Sequence, residues 1–364
     1  MKKIAWLLPL EPFPSRYTQQ WYDNFPKAFE LYGYDVKVID GEPLSNKIDV
    51  GSWLPMNSTV HYKTTQLAKV ALLFQEGLVV DGDIFFIYDL EFWGVDAIKM
   101  MCQINKVDAK IFGFMHAASY TKEDLMEQLA PWQKYTELGW ISLCDKVFVG
   151  SQYHKDAILE RRIQPLADKA DQEALYDKII PTGNPVFKDE YHKIDVVKKN
   201  QVILPNRFDF EKRPNISLDI AYTMKKKHPD WNFVVTTSND TMKSNKQWLL
   251  DKLRGMQADG IIEVREGLSK YDYHHAMAES KIMLTNSIEE NFGYCLVEAM
   301  VYNTYPLAPK GLSHSELLGN NPLFLYEDLD EISSKMEVLM NHTQIGFNMQ
   351  KHYEVINKIV AQTL

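Results

Sequence analysis

The segment Glu290-Asn291-Phe292-Gly293-Tyr294-Cys295-Leu296-Val297-Glu298-Ala299-Met300 follows a short apolar run at 281–284 and reads as a loop that turns at Phe292-Gly293 into a helix over 293–302. Two carboxylates eight positions apart, Glu290 in the loop and Glu298 about a turn and a half into the helix, flank a glycine at which backbone N–H groups lack intrahelical partners. Such N–H groups favour phosphate, and a carboxylate beside them can accept hydrogen bonds from sugar hydroxyls. Taken singly, Glu289, Glu290 and Glu298 would pass for ordinary carboxylates drawn to a helix start by the macrodipole.

A second element upstream makes the difference. In Leu204-Pro205-Asn206-Arg207-Phe208-Asp209-Phe210-Glu211-Lys212-Arg213, Arg207 lies just beyond an apolar run and Lys212 five residues on, at the mouth of a helix expected over 214–227. A planar guanidinium fork and a point-charge ammonium placed there can both reach a diphosphate.

Around these two elements, short apolar runs alternate with longer amphipathic stretches, the rhythm of β-α-β units in parallel sheets. Strands are expected at 3–8, 35–39, 84–87, 110–114 and 146–149, then at 201–204, 232–236, 261–264, 281–284 and 304–307. Helices are expected at 19–31, 64–75, 92–104 and 122–138, and in the second series at 214–227, 243–254, 270–279 and 293–302, with Ser151 as a helix N-cap. The stretch 181–199, which carries Pro181, Gly183 and Pro185 before a Lys-rich segment, reads as a connection between two domains. A chain of 364 residues fits that count.

Composition excludes several classes. At 45% hydrophobic and 24% charged residues the chain is globular, and a net charge of −9 argues against coating a polyanion through a global field. Up to residue 190 there are 20 basic and 27 acidic side chains, net −7, against −2 for the remainder. Cys102, Cys144 and Cys295 form no C-x-x-C pair, which suggests neither a disulfide framework nor a metal site and fits a reducing, cytoplasmic compartment. There, the Asn-x-Ser/Thr triplets at Asn57, Asn215 and Asn341 are not glycosylated. The start, Met1-Lys2-Lys3 with Ile4-Ala5-Trp6-Leu7-Leu8, imitates a signal peptide but is broken by Pro9 and Glu11, and no apolar run is long enough to span a bilayer. G-x-G-x-x-G, Walker, H-E-x-x-H and G-x-S-x-G patterns are absent, which weakens dehydrogenase, P-loop, zinc-protease and serine-hydrolase readings.

With both elements in place the sequence resembles GT-B retaining glycosyltransferases of the glycosyltransferase family 4 type, most closely over 178–327. Glu290 and Glu298 look like that family's Glu-x7-Glu motif, Arg207 and Lys212 like its diphosphate pair, and Ile179-Ile180-Pro181-Thr182-Gly183-Asn184-Pro185-Val186 like its interdomain segment. Ala308-Pro309-Lys310-Gly311 and Asp145-Lys146-Val147-Phe148-Val149-Gly150-Ser151 are similar to two further strand-end turns. The resemblance implies an α/β GT-B fold, two Rossmann-like parallel-sheet domains facing across a cleft: an acceptor domain over 1–190, a donor domain over 191–344, and a terminal helix at 345–364 packed back on the first. It implies a nucleotide-diphosphate sugar as donor substrate, foremost a UDP-sugar, with no metal and no resident cofactor. Arg207 and Lys212 would bind the diphosphate, Glu298 the ribose, and Glu290 with the backbone of Asn291, Phe292 and Gly293 the donor sugar. His116 matches a histidine near the transferred sugar; without the resemblance, a lone histidine after an apolar run reads as a satisfied core residue. The loop at 9–16, Pro9-Leu10-Glu11-Pro12-Phe13-Pro14-Ser15-Arg16, departs from the family's Gly-rich turn, because proline removes N–H donors.

The acceptor is the least legible feature. Arg16, Tyr17 and Gln20, in a stretch that also holds Trp21 and Tyr22, could stack on and hydrogen-bond a splayed base or hold a saccharide, and could as well be the core of an amphipathic helix. The overall texture resembles the phage glycosyltransferases that decorate hydroxymethylated DNA pyrimidines, which would place the protein in the cytoplasm of an infected host. DNA would need a local basic strip, for which Lys63, Arg161 and Arg162 are the candidates. A saccharide acceptor is the alternative, a catalytically inert nucleotide-sugar or glycan binder is the alternative class, and a same-fold epimerase the other enzyme. No residue pattern bears on oligomeric state.

Overall fold

A computed structural model describes residues 2–14, 16–45, 55–343 and 346–364. Met1, Ser15 of the 9–16 loop and Gln344 and Ile345 at the junction of the expected donor domain and terminal helix lie outside the described residues. The chain divides into two compact units, one comprising Met1–Phe187 with Lys351–Leu364 and the other Lys188–Gln350.

The first unit holds β1 (Ile4–Leu8), β2 (Asp35–Val38), β3 (Ile84–Ile87), β4 (Lys110–Met115), β5 (Lys146–Val149) and β6 (Ile179–Pro181), in the order β2-β1-β3-β4-β5-β6. Every neighbouring pair is parallel. Side chains alternate across the sheet with the period of two that a strand imposes. Trp6, Leu8, Phe85 and Ile87 enter the core on one face, and Ala5, Leu7, Ile84 and Phe86 enter the core on the other. The second face is covered by Trp21, Phe25 and Phe29 of the helix Tyr17–Leu31 and by Val355, Ile356, Ile359 and Val360 of the helix Val355–Ala361. The chain's last helix thus belongs to the first unit's core. Tyr34 Oη fastens the end of the chain by donating to the Thr363 carbonyl at 2.9 Å.

The second unit holds β7 (Lys199–Leu204), β8 (Asn232–Thr236), β9 (Glu263–Arg265), β10 (Ser280–Leu284), β11 (Tyr305–Pro309) and β12 (Leu325–Tyr326), ordered β12-β11-β10-β7-β8-β9 and again all parallel. In this doubly wound order the chain starts at β7, winds outward through β8 and β9, and crosses back to β10. The loops after β7 and β10 therefore leave neighbouring strands in opposite directions, which makes the crevice at their carboxyl ends a topological switch point. In the first unit the corresponding point lies between β1 and β3.

Several sequence expectations shift at element ends. The helix expected from 64 begins eight residues earlier, as Met56–Gln75, and the segment at 122–138 splits into a 3-10 turn, Leu125–Leu129, and the helix Ala130–Leu143. The edge strands β6 and β12 were not expected; three and two residues are too short for a period to register. Pro181 ends β6 at the sheet edge, where a missing N–H costs no ladder bond. Ser151 caps its helix, accepting from the His154 N–H at 3.1 Å.

Candidate functional site

The loops after β7 and β10 are joined to each other. The Ile288 N–H donates to the Glu211 carbonyl at 3.0 Å, and Lys212 Nζ donates to Glu290 Oε2 at 2.9 Å. Arg207 stands in the same loop as Lys212. Its Nη2 donates to Glu211 Oε1 at 2.7 Å, and its Nη1 lies 3.8 Å from Asp209 Oδ2. Asp209 is itself held, because Asp209 Oδ1 accepts from the Asn245 N–H at 3.0 Å while the Phe210 N–H donates back to Asn245 Oδ1 at 3.1 Å. Both cations of the expected diphosphate pair therefore sit at the switch point, each already facing a carboxylate.

The loop after β10 is rigid for identifiable reasons. Asn286 Nδ2 donates to Ser217 Oγ and Asn286 Oδ1 accepts from Tyr326 Oη, both at 2.7 Å. Ser313 N donates to the Glu290 carbonyl at 3.2 Å, and Ser313 Oγ to the Phe292 carbonyl at 2.9 Å. Gly293 precedes the helix Tyr294–Val301 with φ +91°, a conformation that glycine adopts without a Cβ penalty. A Cβ there would also meet Glu290 Cγ at 3.4 Å. Phe292 is buried, so its ring is core and only its backbone is available to a ligand; Asn291 is partly exposed. One turn into the helix, Glu298 Oε2 accepts from Tyr273 Oη at 2.7 Å.

Burial and charge compete in this cluster. For Lys212 burial alone would favour the neutral amine, but Glu290 and Glu211 outweigh it and its pKa stands above the usual lysine value. Burial likewise opposes Glu290, yet Lys212, His314 and Arg207 hold its carboxyl below the usual range. Glu298 goes the other way: burial pushes it up to about 7 against the pull of the Tyr273 hydroxyl and Lys270. Burial lowers His314 to about 4, so this imidazole, whose Nδ1 lies 3.3 Å from the Pro309 carbonyl, is neutral at pH 7. The cluster can thus present two fixed cations, one firmly ionised carboxylate and one carboxylate poised near neutrality.

Residues 187–351 match the family described as Glycosyl transferases group 1. This part of the chain is a group 1 glycosyltransferase domain. Among solved structures, the chain is similar to the lipopolysaccharide outer core galactosyltransferase WaaB in its apo form, with 14% identity and a TM-score of 0.63 over the whole of both chains. Against sucrose-phosphate synthase from Thermosynechococcus elongatus the identity is 13% and the TM-score 0.64, covering 99% of this chain and 97% of that one. Against the pneumococcal O-GlcNAc transferase GtfA, solved with UDP and GlcNAc, identity is 14% and the TM-score 0.52 over 83% of this chain, which spans about half (56%) of the length of that transferase. At these identities the likeness is one of fold: the two-sheet α/β architecture is that of GT-B glycosyltransferases.

The group 1 domain brings Arg207, Lys212, Glu290 and Gly293 together, with Glu298 one turn beyond. Glu211, Tyr273 and His314 also belong to the cluster and were not anticipated. His314 follows closely on the Ala308–Gly311 turn noted in the sequence, and Glu211 lies within the 204–213 segment without having been given a role; nothing in the sequence marked Tyr273.

In the first unit His116 donates from Nε2 to the Tyr88 carbonyl at 2.8 Å and packs within 5.0 Å of Phe114 and 4.8 Å of Trp21, ring to ring, and burial lowers its pKa. Tyr17 lies 5.4 Å from the same imidazole, Arg16 is partly buried at the start of the Tyr17–Leu31 helix, and Gln20 is buried with no partner for Oε1 among the described residues. Trp21 is fully buried, so it is core and not a stacking platform.

The basic strip does not exist as expected. Lys63 is buried, donating to Asp89 Oδ2 at 2.7 Å and to the Glu91 carbonyl at 2.5 Å. Arg162 is buried against Glu137 and Ser119, and Arg161 Nη1 donates to the Tyr120 carbonyl at 3.1 Å. In the 9–16 loop, Glu11 is buried and accepts from Ser58 Oγ at 2.7 Å and Thr59 Oγ1 at 3.0 Å, so a carboxylate is fixed just past β1, where the resembled family has its Gly-rich phosphate turn. Among the described residues no helix is long and apolar enough to cross a membrane, and no group of three or more His, Cys, Asp or Glu could hold a metal ion.

Proposed function

We propose that the protein is a retaining glycosyltransferase that moves a sugar from a nucleoside-diphosphate sugar, foremost a UDP-sugar, onto an acceptor hydroxyl. The observation that carries this is the pairing of Arg207 and Lys212 with carboxylates at the switch point of the group 1 domain, beside the helix start at Gly293. A diphosphate arriving there would meet a guanidinium fork and an ammonium already in place, and the charge that grows on it as the glycosidic bond breaks would be offset without reorganisation. Glu290 would accept hydrogen bonds from sugar hydroxyls and Glu298 from the ribose. In a front-face displacement the acceptor oxygen bonds to the anomeric carbon on the side the diphosphate leaves, and the acceptor proton passes to a departing phosphate oxygen. No protein nucleophile is required. His116 carries over as the first unit's candidate for contact with the transferred sugar. Free thiols at Cys102, Cys144 and Cys295 support a cytoplasmic setting.

For the acceptor, the burial of Lys63 and Arg162 removes two of the three phosphate contacts that a DNA strand would have used. A saccharide, or another small hydroxyl compound, is the acceptor class the first unit supports better than a hydroxymethylated base. The test is a panel of UDP-, GDP- and ADP-sugars against simple saccharides and hydroxymethylated DNA, read by mass spectrometry, with the product's anomeric configuration assigned by NMR. An α-linked product from an α-linked donor is expected. An inverted product overturns retention, activity on DNA that falls steeply with salt restores the DNA acceptor, and nucleotide binding without transfer or donor hydrolysis leaves an inert binder.

A further inference from the structure

We propose that Tyr273 is a positioning residue for the donor nucleotide, its hydroxyl holding the Glu298 carboxylate in the orientation that receives the ribose hydroxyls. This rests on the proposed role of Glu298 and adds a residue from a different helix to it. A glutamate presenting both oxygens to a vicinal diol must be fixed about its side-chain torsions, and a charge-assisted O–H···O bond of 2.7 Å to Oε2 does this from the side.

Tyr273 is well placed to do so because it is itself immobile. It lies in the first turn of the helix Lys270–Glu279, whose start is set by the Asp272 N–H donating to Ser269 Oγ at 3.1 Å and the Tyr273 N–H donating to the Ser269 carbonyl at 2.9 Å. Lys270 ties the same turn to Glu190 at 2.8 Å. The tyrosine ring packs on the core formed by Ile203, Ala276, Met277, Met283 and Ala299, the last adjacent to Glu298 in sequence. A phenol so held has two side chains within reach, the Glu298 carboxylate and the Cys295 thiol, and the carboxylate is the stronger acceptor.

The hydroxyl also acts on the charge of its partner. A hydrogen bond to the ionised form favours that form, so the bond opposes the burial that pushes Glu298 up to about 7. The other group that acts on Glu298 is Lys270, from the tyrosine's own helix; the Cys295 thiol, one turn back on the glutamate's helix, is itself raised by burial and by Glu298 and bonds to the Tyr273 hydroxyl. From β11, which also packs against that helix, Tyr305 is turned away and donates to the Thr343 carbonyl at 2.6 Å. Without the phenol, Glu298 would hold its proton to higher pH and lose its aim.

The test uses the full chain and whichever of UDP, GDP and ADP binds most tightly, compared with its 2′-deoxy form by calorimetry between pH 6 and 9. The parent should prefer the ribonucleotide. Tyr273→Phe, which keeps the ring and its packing, should narrow that preference about tenfold at pH 7 and recover part of it at pH 9, where Glu298 ionises without help. Glu298→Gln serves as the reference. If Glu298→Gln narrows the preference while Tyr273→Phe leaves it intact, or weakens both nucleotides equally at every pH, the positioning role is overturned and the ribose assignment stands. If Glu298→Gln leaves the preference intact, or no nucleotide binds, the ribose assignment itself fails and Tyr273 falls with it.

Discussion

The two switch points are made of the same residue types and behave differently. Between β1 and β3 the first unit collects Lys63 with Asp89, and near the end of β4 Arg162 with Glu137; side-chain exposures are 5% and 2% for the first pair and 7% and 0% for the second. Between β7 and β10 the group 1 domain leaves Arg207 31% exposed over an 8% exposed Glu211, and the Lys212–Glu290 pair 13% and 20% exposed. An ion pair removed from water is strong only while both members are present, since either one alone is an uncompensated buried charge. A pair that solvent can reach can exchange its carboxylate for an arriving anion. Burial of the cation, and not its chemistry, separates a structural use of Lys or Arg from a ligand-binding one.

The largest effect that could break this contrast is on stability. Arg162→Met leaves Glu137 buried and unpaired and should lower the unfolding free energy by about 3–5 kcal/mol, whereas Arg207→Ala should cost less, because Lys212 still acts on the buried Glu211 and the lost guanidinium was partly in water. Chemical denaturation measures both; equal losses would erase the distinction. Turnover should report the reverse. Lys212→Ala or Arg207→Ala should reduce kcat by roughly 10² or more, equivalent to about 2.7 kcal/mol of barrier. Parent-like turnover in both variants would sink the diphosphate assignment.

The contrast also marks how far the sequence could be read. Arg207, Lys212, Glu290 and Glu298 lie in two local motifs, each at the end of a strand long enough to register as an apolar run, so strand and motif were legible together. Lys63 and Arg162 were not, because what buries them comes from elsewhere: Asp89 is 26 residues from Lys63 and Glu137 is 25 from Arg162. Lys63 also lies in the part of the Met56–Gln75 helix that the expected start at 64 left out. The buried face there, Ser58, Thr59, Tyr62, Lys63 and Gln66, has helical spacing but polar chemistry, and a search for apolar period passes over it. Tyr273 shows the same limit in the second unit, 25 residues from the carboxylate it holds.

A smaller effect sharpens the comparison at the backbone. Gly293→Ala adds a Cβ at φ +91°, costing about 1–2 kcal/mol, and presses on Glu290 Cγ at 3.4 Å. Nucleotide affinity should fall with little change elsewhere in the fold. Gly139, inside the Ala130–Leu143 helix, is the control: an added Cβ would meet nothing within 4 Å, and its alanine variant should be neutral or stabilising. Equal nucleotide affinity in the two variants would show that the turn is not part of the site.

The smallest effect concerns the sign of pH dependence at the two switch points. Burial, with Asp89 nearby, pushes Glu91 of the first unit up to about 8, while Gln133 Nε2 donates to its Oε1 at 2.5 Å. A carboxyl whose folded pKa is raised keeps its proton in the folded state after the unfolded chain has released it, so its contribution to stability is lost progressively as pH rises from the ordinary carboxylate range to about 8. Glu290 has the opposite sign: with its folded pKa depressed, the stability it contributes is present above the ordinary value and is lost as pH falls through the folded one. Isosteric variants isolate each group from the histidines that titrate in the same range. Glu91→Gln should match the parent near pH 5 and exceed it in stability at pH 8.5, and Glu290→Gln should fall short of the parent at pH 7 and approach it in acid. Denaturant titrations at three pH values give the two difference curves. Curves of the same sign would mean that both carboxylates answer to burial alone, and that Lys212 does not set the charge of the site.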